Sequence, residues 1–196
     1  YIYYAAGENE AQLAKLPQAE RILDKGYEMF WCTDDVDEFV MQFVGEYKGK
    51  KTKSVNDDDA LPESDEEKKQ AEQKAADNKE VLDFVKETLG GKIKEARISR
   101  ILKSHACCLT AEGGVSIEME KYMRKQGGEL ADFEGEHVLE LNADSSAFAA
   151  MKSAMATDKE LAAKYAKILY DQALLIAGLP LEDPSEYSDL VCSLMK

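Results

Sequence analysis

The hydrophobic pattern divides the chain into strand-like runs and helical stripes whose order sets the fold class. Ile2 to Ala6 is a short apolar run, and Glu8 to Lys25 has a helical pattern broken at Pro17 and stopped at Gly26. Tyr27 to Cys32 (YEMFWC) predicts a second, buried strand. Thr33-Asp34-Asp35 then caps a helix whose apolar face would be Val36, Phe39, Val40, Phe43 and Val44, with Gly45 past its end. Lys51 to Val55 predicts a third strand, placed at an edge by its lysines. Strands alternating with helices predict a small three-layer parallel βαβ unit over 1–55.

A different pattern follows. Residues 56–63 (NDDDALPE) read as an acidic linker, and Ser64-Asp65-Glu66-Glu67 as a capping box opening a helix that runs to about Leu89. The first half of this helix is polar all round, while the second half carries Val81, Leu82, Val85 and Leu89. Lys92 to Ser99 alternates as a strand with one wet face, His105 to Thr110 is its expected partner, and His137 to Leu141 is a further strand. Between them a helix over Val115 to Gln126 is bracketed by the glycine pairs 113–114 and 127–128, with Val115, Met119, Tyr122 and Met123 on one face. Stripes of this kind usually face a core, but methionine also serves adaptable binding surfaces, and flanking glycines let a helix stand away from its body. Asp144 or Ser145 caps a helix bearing Phe148, Met151 and Met155. The expected whole is an α/β unit followed by an α+β domain of helices and a short sheet over 64–196.

The chain ends in two helices joined by a turn at Gly178. The first is apolar nearly all round over Ile168 to Leu179, including Leu169, Leu175 and Ile176 beside Gln172, and so must be covered from more than one side. Asp183-Pro184-Ser185-Glu186 starts the second, whose stripe is Tyr187, Leu190, Val191, Leu194 and Met195. A helix of about three turns is marginal alone. It must dock on its neighbour, on another part of the chain, or on the same helix pair of a second copy.

Composition narrows the functions. A net charge of −14 opposes phosphate-backbone binding, and ten acidic against four basic residues between Asn56 and Glu80 place much of it on a solvated face. Every apolar run falls short of the roughly 20 residues of a membrane span. Cys32, Cys107, Cys108 and Cys192 show neither C-x-x-C nor a framework spacing, which predicts reduced thiols in an intracellular protein. His105 and Cys107, two apart on a strand, are the one nucleophile-like pair. Their side chains would stand about 7 Å apart, too far for a hydrogen bond, so a thiol-dependent module is only the second reading. No phosphate loop, metal cluster or catalytic motif is expected. The opening YIYYAA, inside an apolar run, predicts a fragment of a longer protein.

Several stretches together resemble one family. YIYYAAGE, then GYEMFWCTDDVDEFVMQF with its Asp34-x-x-Asp37-Glu38 core, then GKKTKSV, are similar to the end of the middle domain of the 90-kDa heat-shock chaperones. RISRILKSHACCLTAE, HVLELNADS and LYDQALLIAGLPLEDPSEY resemble that family's C-terminal domain and its dimerisation helices. Two departures, Asn142-Ala143 where the family has Asn-Pro and an end at Lys196 without an acidic pentapeptide, resemble bacterial members. The resemblance implies a cytoplasmic, ATP-driven homodimeric chaperone, with ATP and Mg bound by a domain outside this chain and no cofactor or catalytic residue within it. It assigns client contact with partly folded proteins to Val115, Met119, Tyr122 and Met123. It assigns dimerisation to Ile168, Leu169, Gln172, Leu175, Ile176, Leu179, Tyr187, Leu190, Val191, Leu194 and Met195. No nucleic-acid or membrane partner is implied.

Overall fold

The computed structural model describes residues 1–57, 60, 65–130 and 132–195. Most of the expected linker and the expected cap at Ser64 therefore lie outside the described residues.

The chain opens with β1 (Ile2–Ala6), the short α1 (Glu10–Leu13), α2 (Pro17–Asp24), β2 (Met29–Cys32) and α3 (Asp37–Val44). Pro17 at the first helical position separates α1 from α2, since its missing N–H is harmless only there. β3 (Glu46–Tyr47) and β4 (Lys50–Ser54) follow as a hairpin whose turn residues Lys48 and Gly49 both have positive φ. The sheet order is β2-β1-β4-β3, with β1 parallel to both β2 and β4. β4 is thus an inner strand and not the edge its lysines predicted; the two-residue β3 takes the edge. Alternation along β1 sends Tyr3 and Ala5 to one face, against Leu13, Ala19, Ile22 and Val55, and Tyr4 and Ala6 to the other, with Cys32 and Met41. Leu13 of α1 with Ala19 and Ile22 of α2 pack on one face of this mixed sheet, and Met41 of α3 on the other.

The orientation of α3 corrects the sequence reading. Val36, Val40, Phe43 and Val44 are exposed, Phe43 at 94%, whereas Glu38 is buried. The reason lies under the helix: Tyr4 brings a hydroxyl to that face of the sheet, and its O–H donates to Glu38 Oε1 at 3.4 Å. Phe30, expected to be buried on β2, is exposed as well.

α4 (Asp65–Asp77) and α5 (Lys79–Leu89) replace the single helix expected up to Leu89. They break at Asn78, whose Nδ2 donates to Lys74 O at 2.8 Å while its Oδ1 accepts from Lys152 Nζ at 2.6 Å. After β5 (Glu95–Ile98) and β6 (Cys107–Glu112) come α6 (Ile117–Gln126), β7 (Glu136–Leu141), α7 (Ser146–Thr157), α8 (Lys159–Ala177) and α9 (Pro184–Leu194). The second sheet runs β5-β7-β6. β5 and β6 are therefore not partners, as the alternation suggested; β7 lies between them, parallel to β5 with Arg97 opposite Glu140.

By contacts the chain forms two compact units, Tyr1–Pro62 with Thr110–Glu136, and Glu63–Leu109 with His137–Lys196. The sequence reading ran one domain through 64–196; the contacts group 110–136 with the N-terminal part instead. In the second unit α7 packs along α8, and α5 packs on β5 and α8. Ala162, Ala166 and Ala173 are buried on α8, small enough for helices to approach closely, with Val81, Val85, Phe148 and Met151 buried from α5 and α7.

Asn142, just past β7, ties this unit's loops together. Its Nδ2 donates to the carbonyls of Lys103 (3.0 Å) and His105 (2.9 Å), and its Oδ1 accepts from Asp144 N at 3.0 Å. Asn142→Ala removes all three bonds, and urea unfolding should show a loss of about 1–3 kcal/mol.

Candidate functional site

Two surfaces carry the residues singled out by sequence, one in each unit. In the first, α6 forms because Ser116 Oγ accepts from Met119 N at 3.2 Å, Glu118 and Glu120 lie in the first turn, and Arg124 and Lys125 in the last. Gly127, at φ +69°, ends the helix in a conformation that costs a side-chain-bearing residue dearly. Val115, Met119, Tyr122 and Met123 are all half-buried, neither free of the body nor sealed within it. Tyr122 meets Phe39 of α3 edge to face, centroids 5.3 Å apart at 71°.

The opposite side of α6 is polar and closed. Glu120 is fully buried and sits 3.0 Å from the Arg124 guanidinium, one turn on. Its Oε2 accepts from Gly135 N at 3.1 Å, and Arg124 Nε donates to Phe133 O at 2.8 Å. This pair clamps the segment after α6 back onto the helix. Sequence reasoning missed it, although the i,i+4 spacing of Glu120 and Arg124 was the available signal.

Glu38 is the other buried carboxyl of this unit. Gln42 Nε2 donates to it at 2.8 Å and the Tyr4 hydroxyl at 3.4 Å. Burial pushes its carboxyl above the usual glutamate range, and Asp57 adds to the rise, while these hydrogen bonds act the other way. Burial likewise raises Glu118, against the opposing effect of Lys121. A cavity of about 490 Å³ adjoins Glu38, bounded by Tyr4, Gln42, Thr52, Gly113 and Ser116.

In the second unit, Asp158 Oδ1 caps α8 through Leu161 N at 3.0 Å. Gly178, left-handed at φ +73°, turns the chain, with Leu179 N donating to Leu174 O at 2.9 Å. Asp183 Oδ1 caps α9 by accepting from Ser185 N and Glu186 N, both at 2.9 Å, and Lys167 Nζ reaches Glu186 Oε1 at 2.7 Å. Of the residues assigned to dimerisation, Ile168, Leu169 and Leu179 are buried within the chain's own fold. Leu175, Ile176 and Met195 are exposed at 50%, 36% and 75%. Gln172, Tyr187, Leu190, Val191 and Leu194 are half-buried, and no described residue of α9 is fully buried.

The thiol pair does not assemble. Cys107 is buried, its S–H donates to Leu169 O at 3.1 Å, and burial pushes its thiol up to about 12. His105 Nδ1 lies 3.1 Å from Ser104 Oγ instead. Burial raises Cys108 well above the ordinary range too. Among the described residues, no cluster of His, Cys, Asp or Glu is placed to hold a metal ion, and no helix is long and apolar enough to cross a membrane.

Comparison with known proteins agrees along the whole length. The pattern of the family described as Hsp90 protein matches residues 1–196. The chain is 47% identical over 196 residues to chaperone protein HtpG of Clostridium acetobutylicum, 46% over 195 residues to that of Halalkalibacterium halodurans, and 40% over 195 residues to that of Bacillus subtilis. Each alignment covers 100% of this chain and 31% of the relative, so the chain spans about a third of the length of the curated relatives it matches. With one family pattern running from its first residue to its last, this chain belongs to the Hsp90 protein family.

Proposed function

We propose that this chain is the homodimerising, client-binding C-terminal part of a bacterial, cytoplasmic, ATP-dependent chaperone, and that the nucleotide site, with its ATP and Mg, lies outside it. The observation that carries the reading is the state of the terminal helix pair. α9 has no fully buried described residue, and Leu175, Ile176 and Met195 of the helix pair present exposed apolar surface. A three-turn helix so poorly covered needs a further surface, and a symmetric pairing of α8 and α9 with a second copy supplies one as an isologous four-helix contact. The half-buried stripe of Val115, Met119, Tyr122 and Met123 is the proposed client contact, using adaptable apolar side chains.

Light scattering at micromolar concentration tests the first half. The intact chain should have the mass of a dimer. The double variant Leu175→Asp with Ile176→Asp should halve that mass while leaving helix content unchanged, because both side chains already lie at the surface. A monomeric intact chain, or a dimeric variant, defeats the assignment. The alternative of a thiol-dependent module is disfavoured by Cys107, whose sulfur is occupied and held protonated.

A further inference from the structure

We propose that the outer face of α3 is a self-association surface, on which α3 of a second copy of this chain lies antiparallel about a two-fold axis. The contact belongs to the first unit and does not depend on the pairing of α8 and α9 proposed above.

Single apolar side chains are ordinary on a protein surface, but those of α3 are not scattered. Val36, Val40, Phe43 and Val44 recur at i, i+4, i+7 and i+8, the spacing of one helical face, and all four are exposed. Glu38 and Met41 hold the inward face of the same helix, so the stripe stays outside.

Charge at the two ends of the stripe says what fits it. Asp34 and Asp35, both exposed, precede α3, and Asp37 lies in its first turn. Past its end, Thr52 Oγ1 lies 3.2 Å from Met41 O and 3.0 Å from Gly45 O, and Thr52 N donates to Gly45 O at 2.9 Å. These bonds fix the β3–β4 hairpin to the last turn of α3. Lys50 shares the Thr52 face of β4, and Tyr47 stands opposite Lys50 in register, so both lie on the side toward α3. Lys48, in the turn, stands over the Tyr47 ring at 5.1 Å. Among the described residues neither Lys48 nor Lys50 has a carboxylate partner. Glu46, opposite Lys51, is on the other face of the hairpin, and Asp35 is shared with Lys125 of α6 at 3.3 Å. The stripe thus runs from an acidic start to a basic end.

Such a surface is its own complement. Turned end for end by a two-fold axis near Val40, a second α3 sets its acidic start over the basic hairpin of the first and its hairpin over the first one's start, with the apolar side chains between them. A parallel pairing would stack like charge on like. α3 is only about 12 Å long, and its stripe falls well short of the roughly 800 Å² per partner of a stable interface. The contact is therefore weak, reversible and salt-sensitive. Each side chain enters it twice, so one substitution counts double.

Sedimentation equilibrium of the full chain carrying Leu175→Asp with Ile176→Asp, which removes the other proposed contact, tests this one. Its mean mass should climb between about 10 μM and about 1 mM at low salt, and climb less at about 0.5 M salt. Adding Phe43→Asp, at a position 94% exposed where the fold itself is unaffected, should raise the dissociation constant more than about tenfold. The antiparallel arrangement is tested by charge. Lys48→Glu with Lys50→Glu makes both ends acidic, and Asp34→Lys with Asp35→Lys makes both ends basic, so neither chain should associate alone, whereas an equimolar mixture should pair. A mass flat with concentration, a Phe43→Asp chain that associates like its parent, or a mixture no heavier than its components overturns the proposal. A stripe that takes up a permanently unfolded protein, while the chain does not associate with itself, overturns it as well and gives the face to clients. The dilute end of the series reports on α8 and α9 and the climb on α3, so the two readings fail separately.

Discussion

Replacing Arg124 by alanine is expected to cost about 3–5 kcal/mol, because it leaves a buried carboxylate without its cation. Glu120 has no exposed surface, and the guanidinium 3.0 Å away is its charge partner. The same substitution deletes the Nε bond to Phe133 O, so the segment that follows α6 loses its tie as well. Lysine should rescue only part of the loss, since a point charge cannot hold Glu120 and Phe133 O together as the guanidinium fork does. Removing both partners, as Glu120→Leu with Arg124→Leu, should be much milder than Arg124→Ala alone. The two changes sit one turn apart and share one interaction, so a double-mutant cycle in urea must be strongly non-additive. An Arg124→Ala chain within about 0.5 kcal/mol of the parent would show that this pairing contributes little to stability.

The second large effect is expected in the other unit. Phe148→Ala removes the largest fully buried side chain among the described residues, on α7, which packs along α8. Truncating a buried phenylalanine costs about 3–5 kcal/mol in transfer and cavity terms. In a chain of this size each kcal/mol moves the melting midpoint by about 2–4 °C. The two substitutions also report on cooperativity. Arg124 belongs to the unit containing 110–136, and Phe148 to the unit completed by 137–196. If the units melt separately, calorimetry will show each variant shifting a different transition. If they melt together, both variants will lower the same one.

Much of the local structure was legible because its signals are short-range. The stop at Gly178, the cap and proline at Asp183-Pro184, and the break at Pro17 all act within one helical turn, and each falls where the residues put it. What escaped the sequence depends on partners far along the chain. Periodicity gave α3 an apolar face toward the sheet, but Tyr4, 34 residues earlier, calls for a hydroxyl partner and turns Glu38 inward. At Asn78, where α4 gives way to α5, the side-chain Oδ1 accepts from Lys152, 74 residues away. Alternation marked β5, β6 and β7 as strands, yet cannot say which lies in the middle. The candidate surfaces divide in the same way. The stripes on α6 and α9 could be read directly, whereas the Glu120–Arg124 clamp looked like ordinary charged helix surface until Phe133 and Gly135 were seen to fold back on it.

The order β5-β7-β6 has a consequence for how the protein is made. The middle strand of this sheet is the last of the three to be synthesised. While the ribosome translates residues 113–141, 29 in all, β5 and β6 are both made but have no strand to pair with. At about 5–20 residues per second that interval lasts roughly 1.5–6 s, long compared with the collapse of a small chain. During it, the apolar Cys107-Cys108-Leu109 stretch has neither its neighbouring strand nor the α8 carbonyl that later receives the Cys107 thiol. A chain released early, before His137 to Leu141, would keep that stretch uncovered. Until residues 136–141 arrive, the sheet has no middle strand to cover that stretch.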